Sequence, residues 1–167
     1  MGDFYEVFFE DAKELAKILN IAQTHRGKIA DTPVPMAGIP HHAAANYVDR
    51  LTSVGKRVAI CEQIQDPKDA VGIVKRAVTQ VVSPGIPYDL NQADQAQNFY
   101  LASCYMDNNL FSLCFIDFSS GKFFGFDQQT VDDAINLLEK YRPKEIVLYP
   151  GQFARLRTLE QKIDQLE

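Results

Sequence analysis

Cysteine is scarce in this chain. Cys61, Cys104 and Cys114 are odd in number and show no CxxC spacing, which argues against a disulfide framework or a zinc knuckle and fits a reducing compartment. Long apolar runs are missing too: nothing approaches the roughly 18 residues of a membrane span. Acidic residues follow the first methionine at once, so no signal peptide is expected and the chain reads as cytoplasmic, with no membrane partner. Histidine is equally sparse, and His41 and His42 have no third ligand spaced to join them, so no metal site is expected. No GxxxxGK[ST] loop occurs, so these residues should bind no nucleotide and need no cofactor.

Also lacking is any surplus of positive charge. The net charge is -5 over 167 residues, and it is unevenly placed: residues 1–83 carry ten basic and ten acidic residues, the remainder seven and twelve. Affinity for a polyanion comes largely from phosphate neutralisation and counterion release. The acidic half should therefore avoid phosphates, and the neutral half can bind them only weakly on its own, through local geometry. Length and the 46% hydrophobic content are ordinary for one or two modest globular domains.

The stretch on which the rest turns is Gly2-Asp3-Phe4-Tyr5-Glu6. Extended side chains alternate faces, so Phe4 and Glu6 project one way and Tyr5 the other. The plain alternative is that Phe4 belongs to a core and Glu6 to the acidic first turn of the helix that follows. That helix is marked by Phe8, Ala12, Leu15 and Leu19 at helical spacing, with Glu10, Asp11 and Glu14 near its start and Asn20 at its end. Ile21 to Thr24 reads as a short strand. Arg26-Gly27-Lys28 reads as a polar turn, either solvated or reaching a phosphate. Prolines hold Thr32-Pro33-Val34-Pro35 extended and place Met36 in a loop at Gly38-Ile39-Pro40, as a gap-filler in the core or as an apolar contact. A second helix runs from His42 to Leu51 and closes at Gly55. Arg57 to Gln65 alternates as a strand ended by Asp66-Pro67, with Cys61 expected as a small buried hydrophobe rather than a nucleophile. Lys75-Arg76 leads into a strand from Val78 to Val82, and Ser83-Pro84-Gly85 ends the sheet.

Residues 84–97 have little to bury and read as a linker. Beyond them, Phe99 to Met106, Leu110 to Phe118 and Lys122 to Phe126 form three strands of a meander, separated by Asp107-Asn108-Asn109 and Ser119-Ser120-Gly121. Val131, Ala134, Ile135, Leu138 and Tyr141 trace one face of a helix, Glu145 to Tyr149 makes a further strand, and Pro150-Gly151 starts a second helix. A βββαβ order with a crossover into the last strand resembles the ribonuclease H-like fold. That raises a metal-dependent nuclease as the alternative function, with Asp117 as its candidate carboxylate. Several carboxylates must converge on two metal ions for that chemistry. Asp107, Glu139 and Glu145 fall at turns or ends, so a surface or turn role suits Asp117 better.

Phe4-Tyr5-Glu6 is followed in order by Thr24-His25-Arg26-Gly27, Pro35-Met36-Ala37-Gly38-Ile39-Pro40-His41-His42-Ala43, Val58-Ala59-Ile60-Cys61-Glu62-Gln63 and Ser83-Pro84-Gly85. This series resembles the amino-terminal mismatch-recognition domain of the MutS family of DNA mismatch-repair proteins over about residues 1–88, and the start of that family's connector domain thereafter. The resemblance implies an α/β (α+β) protein: a small mixed-sheet mismatch-recognition domain over 1–83 with its first strand cut short, a linker over 84–97, and an incomplete ribonuclease H-like connector over 98–167. It implies recognition of mispairs and small insertion or deletion loops, with Phe4 wedging into the duplex and Glu6 bonding an unpaired base. Arg26, Lys28, Met36 and Arg76 are secondary DNA-binding candidates. No catalytic residue is expected in these residues. It further implies mismatched duplex DNA and a MutL-type protein as partners, a homodimeric parent, a bacterial cytoplasmic or nucleoid setting, and an ATP- and magnesium-dependent ATPase in a missing carboxy-terminal part. Both ends look cut, with a strand expected upstream of Met1 and a Walker-type ATPase far downstream.

Overall fold

The computed structural model describes residues 3–66, 68, 72–89, 99–152 and 157. The chain forms two compact units, Met1–Ser83 and Pro84–Glu167, with helices and small sheets segregated in the α+β manner.

The first unit opens with strand β1 (Phe4–Phe8), which passes directly into helix α1 (Phe9–Leu19). Glu10 and Asp11 lie in the first turn of α1, where the helix dipole favours anions. Asn20, in the left-handed region, closes the helix by donating its N–H to the Ala16 carbonyl. The expected helical stripe holds at Ala12 and Leu19, with Leu15 half-buried against the same cluster. Phe8 belongs to β1, and Ala16 joins Ala12 and Leu19 as the buried face. Ala12 and Ala16 meet Ala37 with Val7, Leu15 and Ile21 around them, so small side chains bring the helix close against the sheet.

Strands β2 (Thr24–Ile29) and β3 (Thr32–Pro40) complete an antiparallel sheet in the order β1-β3-β2. Two expectations are corrected here. The first is that the chain reverses not at Arg26-Gly27-Lys28 but at Ala30-Asp31, whose φ angles of 47° and 62° match a two-residue type I′ hairpin. Gly27, at φ 68°, instead accommodates an irregularity in the ladder between His25 and Lys28. The second is that Met36 and Gly38 lie in the central strand and not in a loop. Pro33 and Pro35 occupy the part of β3 beyond the end of β1, where only one neighbour flanks it, and Pro40 lies at the strand's end, which are positions a sheet tolerates.

A short 3-10 turn (His41–Ala43) leads into helix α2 (Ala44–Ser53), buried through Ala44, Val48 and Leu51. Arg50 of α2 donates to the Leu19 carbonyl at 3.0 Å, capping α1 from outside, and Lys56 pairs with Glu14 at 2.5 Å. Strands β4 (Val58–Gln63) and β5 (Arg76–Val82) form a separate antiparallel ladder. Cys61 is exposed rather than buried, because the period-two alternation puts Ile60 inside and Cys61 on the outer face.

In the second unit, β6 (Tyr100–Asp107), β7 (Leu110–Asp117) and β8 (Lys122–Gln129) form a meander. Helix α3 (Val131–Tyr141) then crosses to β9 (Glu145–Leu148), which lies parallel to β6. The order β8-β7-β6-β9 is the expected crossover arrangement. Thr130 caps α3 by accepting from the Asp133 N–H. One sheet face buries Tyr100, Ala102, Cys104, Phe111, Leu113 and Phe115 against Ala134 and Leu138. Of the segment read as a linker, residues 84–89 are described. Gly85 is packed so closely that a Cβ there would lie 2.9 Å from Leu101 and from Glu145, and its N–H donates to the Glu145 carboxylate at 3.2 Å. Residues 90–97 lie outside the described residues. A 3-10 turn at Pro150–Gln152 stands where the second helix was expected to start; most of that expected helix also lies outside the described residues. The buried Gln152 amide donates to the Met106 carbonyl and accepts from the Met106 N–H, both at 2.7 Å.

Candidate nucleic-acid interface

Register fixes what each face of the first sheet presents. Directly opposed residues in antiparallel strands share a face, and β1 pairs Phe4 with Pro40, Glu6 with Gly38 and Phe8 with Met36. Phe4, Glu6, Gly38 and Met36 therefore stand together. Tyr5, Val7, Ala37 and Ile39 occupy the other face, where Val7 and Ala37 meet α1. The alternative in which Phe4 is core and Glu6 opens a helix does not hold: Phe4 is 60% exposed, and the helix begins at Phe9.

The backbone beneath Phe4 is fixed from behind. The Tyr5 hydroxyl donates to the Glu62 carboxylate on β4, and its ring stacks on His41 at 5.1 Å. The His41 N–H donates to the Asp3 carbonyl at 2.7 Å, tying the start of β1 to the end of β3. Gly38 lies beside the ring. A Cβ added there would sit 3.7 Å from Phe4 Cδ1, so the ring leans over a position without a side chain. The exposed Phe4 ring is thus carried on a strand held at its start and from its other face.

Glu6 is the second element. Its carboxylate accepts from the Arg26 guanidinium, which arises on β2, with β3 lying between. Both side chains remain open to solvent, Arg26 at 52% and Glu6 at 35%. Lys28 is exposed farther along β2, and Met36 is half-buried on the Phe4 face. Arg76 opens β5 opposite Gln63, in the other ladder of this unit, so it is not brought into the sheet that carries Phe4. Sequence reasoning missed the Arg26–Glu6 pairing and the support from Gly38, His41 and Glu62. Gly38 was visible as a glycine, but its meaning depends on being opposite Glu6 in a strand.

Asp117, the carboxylate of the nuclease alternative, is 1% exposed, which corrects the surface part of its expected role. It accepts from the Ser119 N–H at 3.0 Å and from the Ser119 and Ser120 hydroxyls at 2.6 and 2.8 Å. Burial alone would raise its pKa, but these hydrogen bonds to the ionised form outweigh burial and lower it. It organises the turn between β7 and β8, where the Gly121 N–H also returns to the Asp117 carbonyl at 2.8 Å. Among the described residues no cluster of three or more His, Cys, Asp or Glu is placed to hold a metal ion, and no helix is long and apolar enough to cross a membrane.

Comparison with known families matches this chain in two consecutive parts: MutS domain I over residues 1–91 and MutS domain II over residues 98–167. The DNA mismatch repair protein MutS of Streptococcus equi subsp. equi (strain 4047) is 44% identical over 148 residues, 89% of this chain and 17% of that protein. The DNA mismatch repair protein MutS of Lactococcus lactis subsp. cremoris (strain MG1363) is 40% identical over 167 residues, covering 99% of this chain and 20% of that protein. The DNA mismatch repair protein MutS of Desulfatibacillum aliphaticivorans is 43% identical over 169 residues, 99% of this chain and 19% of its own length. The chain thus spans 17–20% of the length of these relatives.

Proposed function

Because the chain belongs to the MutS family, we propose that its first unit recognises mispaired and unpaired bases in duplex DNA, Phe4 entering the base stack and Glu6 hydrogen-bonding the displaced base. The observation that carries this reading is the pairing of a 60% exposed Phe4 with Glu6 on one face of a strand whose other face is anchored. A mispaired step is already poorly stacked, so opening it costs less than opening a paired one. Unstacking and kinking cost on the order of a few kcal/mol, and selectivity then follows from deformability. A single ring can serve many mispairs for that reason.

The half-buried Met36 adds apolar contact on the same face, whereas Lys28, opposite Pro33 in the ladder, belongs to the other face and is not assigned a DNA contact. The second unit is acidic and is assigned to protein contact, with a MutL-type partner. ATP and magnesium are assigned to a further domain of a homodimeric parent. No observation favours the nuclease, since the Asp117 oxygens are engaged by their own turn.

The test is Phe4→Ala in the intact protein, with Tyr5→Ala beside it. Base–aromatic stacking is worth roughly 1–3 kcal/mol, so Phe4→Ala should cut the preference for mispaired over matched duplex about tenfold or more while leaving thermal stability nearly unchanged. Tyr5→Ala should do the reverse, lowering stability first. If Phe4→Ala lowers the melting temperature more than Tyr5→Ala does and leaves discrimination intact, the assignment of the two faces is wrong.

A further inference from the structure

Glu6 is a carboxylate where a DNA-binding surface would ordinarily present a cation, and the protein supplies its own cation to it. We infer that Arg26 is a specificity-determining residue, the internal counter-ion that limits how strongly Glu6 repels correctly paired DNA. This rests on the reading that Glu6 faces the duplex.

Three features carry the inference. The guanidinium engages a Glu6 oxygen across the intervening strand, so the contact is not between chain neighbours. Arg26 lies in the irregular part of β2, between His25 and Lys28 with Gly27 in the left-handed region; such bulges re-aim a side chain. The pair is also largely solvated, and exposed ion pairs add little to stability, so the fold itself gains little from it.

The consequence for binding is specific in sign. With Arg26 in place, Glu6 approaches phosphates as half of a neutral pair. Without it, Glu6 meets them uncompensated. At a mispair, a Glu6 without Arg26 regains the oxygen that the guanidinium engaged and bonds the base more strongly, which offsets part of the added repulsion; on matched duplex nothing offsets it. Removing Arg26 should therefore weaken matched binding more than mispaired binding and raise discrimination. An arginine that merely touched a phosphate would act differently, weakening both duplexes equally and reducing the salt dependence by about one phosphate's worth.

The experiment is a double-mutant cycle in the intact protein with Arg26→Gln, Glu6→Gln and both together. The probes are a short duplex with a single G·T mispair and its G·C counterpart, at one fixed salt concentration. Arg26→Gln is expected to raise the mispaired-to-matched affinity ratio about two- to fivefold, the factor equivalent to the ~0.4–1 kcal/mol of an exposed pair. In the Glu6→Gln background the same change should leave the ratio unaltered. Arg26→Lys, which keeps the charge, should restore most of the wild-type ratio. Unchanged discrimination with equal weakening in both backgrounds, a lower ratio, or no effect in either background overturns the proposal. Absence of discrimination in the wild-type protein would instead sink the underlying reading, so the two failures are distinguishable.

Discussion

The two units build their cores from different side chains. In the second, Tyr100, Phe115, Phe124, Phe126 and Tyr141 pack on one another with ring centroids 4.9 to 6.3 Å apart, and Phe115 is wholly buried at their centre. In the first, helix α1 meets the sheet through alanines, while Phe4 and Phe9 are exposed. Ala12, Ala16 and Ala37 let the helix lie close on a thin sheet without rings between them. The second unit exposes rings as well, Phe123 at 68% and Tyr149 at 67%; what sets Phe4 apart is a strand tied down from its other face through Tyr5 and at its start through His41.

The largest expected effect that tests this contrast is Phe115→Ala. Truncating a fully buried phenylalanine costs about 3–5 kcal/mol, to be read as a fall in the unfolding midpoint of the second unit. Phe4→Ala should change stability by no more than about 0.5 kcal/mol, as exposed substitutions do. Comparable losses at the two positions would erase the distinction.

A smaller effect is expected at Asp117. Asp117→Asn removes a charged acceptor from three hydrogen bonds and should destabilise the second unit by roughly 1–3 kcal/mol at neutral pH. The folded carboxyl holds its proton less tightly than the unfolded one. Its stabilisation is therefore complete above the unfolded value near 3.9 and fades as pH falls through the lower folded value. The gap between wild type and Asp117→Asn, followed by denaturant unfolding, should close below about pH 4; a gap that widens on acidification would contradict the hydrogen-bonding scheme.

The smallest effect needs no mutation. Burial pushes the Cys104 thiol up to about 11, whereas Cys61 and Cys114 are exposed. A thiol-alkylating reagent at neutral pH should label Cys61 and Cys114 in the folded protein and reach Cys104 only on unfolding, as mass spectrometry of the digested protein would reveal.

Much of the second unit was legible in the sequence because its signals are local: alternating strands, Asn- and Gly-marked turns and a helix with a threonine cap. The facing of Phe4 and Glu6 was legible for the same reason, since alternation needs only neighbours. The hairpin of β2 and β3 was not. Its reversal uses Ala30-Asp31, without the Asn-Gly signature that marks such turns, and its central strand contains prolines that ordinarily argue against a strand. The Arg26–Glu6 pairing was beyond sequence reasoning, because it depends on strand order and on an irregularity in the ladder. Gln152 was unreadable too, as a glutamine beside a proline-glycine pair carries no sign of burial.

That glutamine has a consequence for how the protein behaves among copies of itself. β9 covers the side of β6 only from Leu101 to Cys104, and the backbone beyond would offer the Met106 N–H and carbonyl to any extended chain. Unpaired strand edges are templates for edge-to-edge aggregation. The Gln152 amide satisfies both groups, so one side chain does the work of another strand residue and removes the next rung on which a second molecule could begin to polymerise.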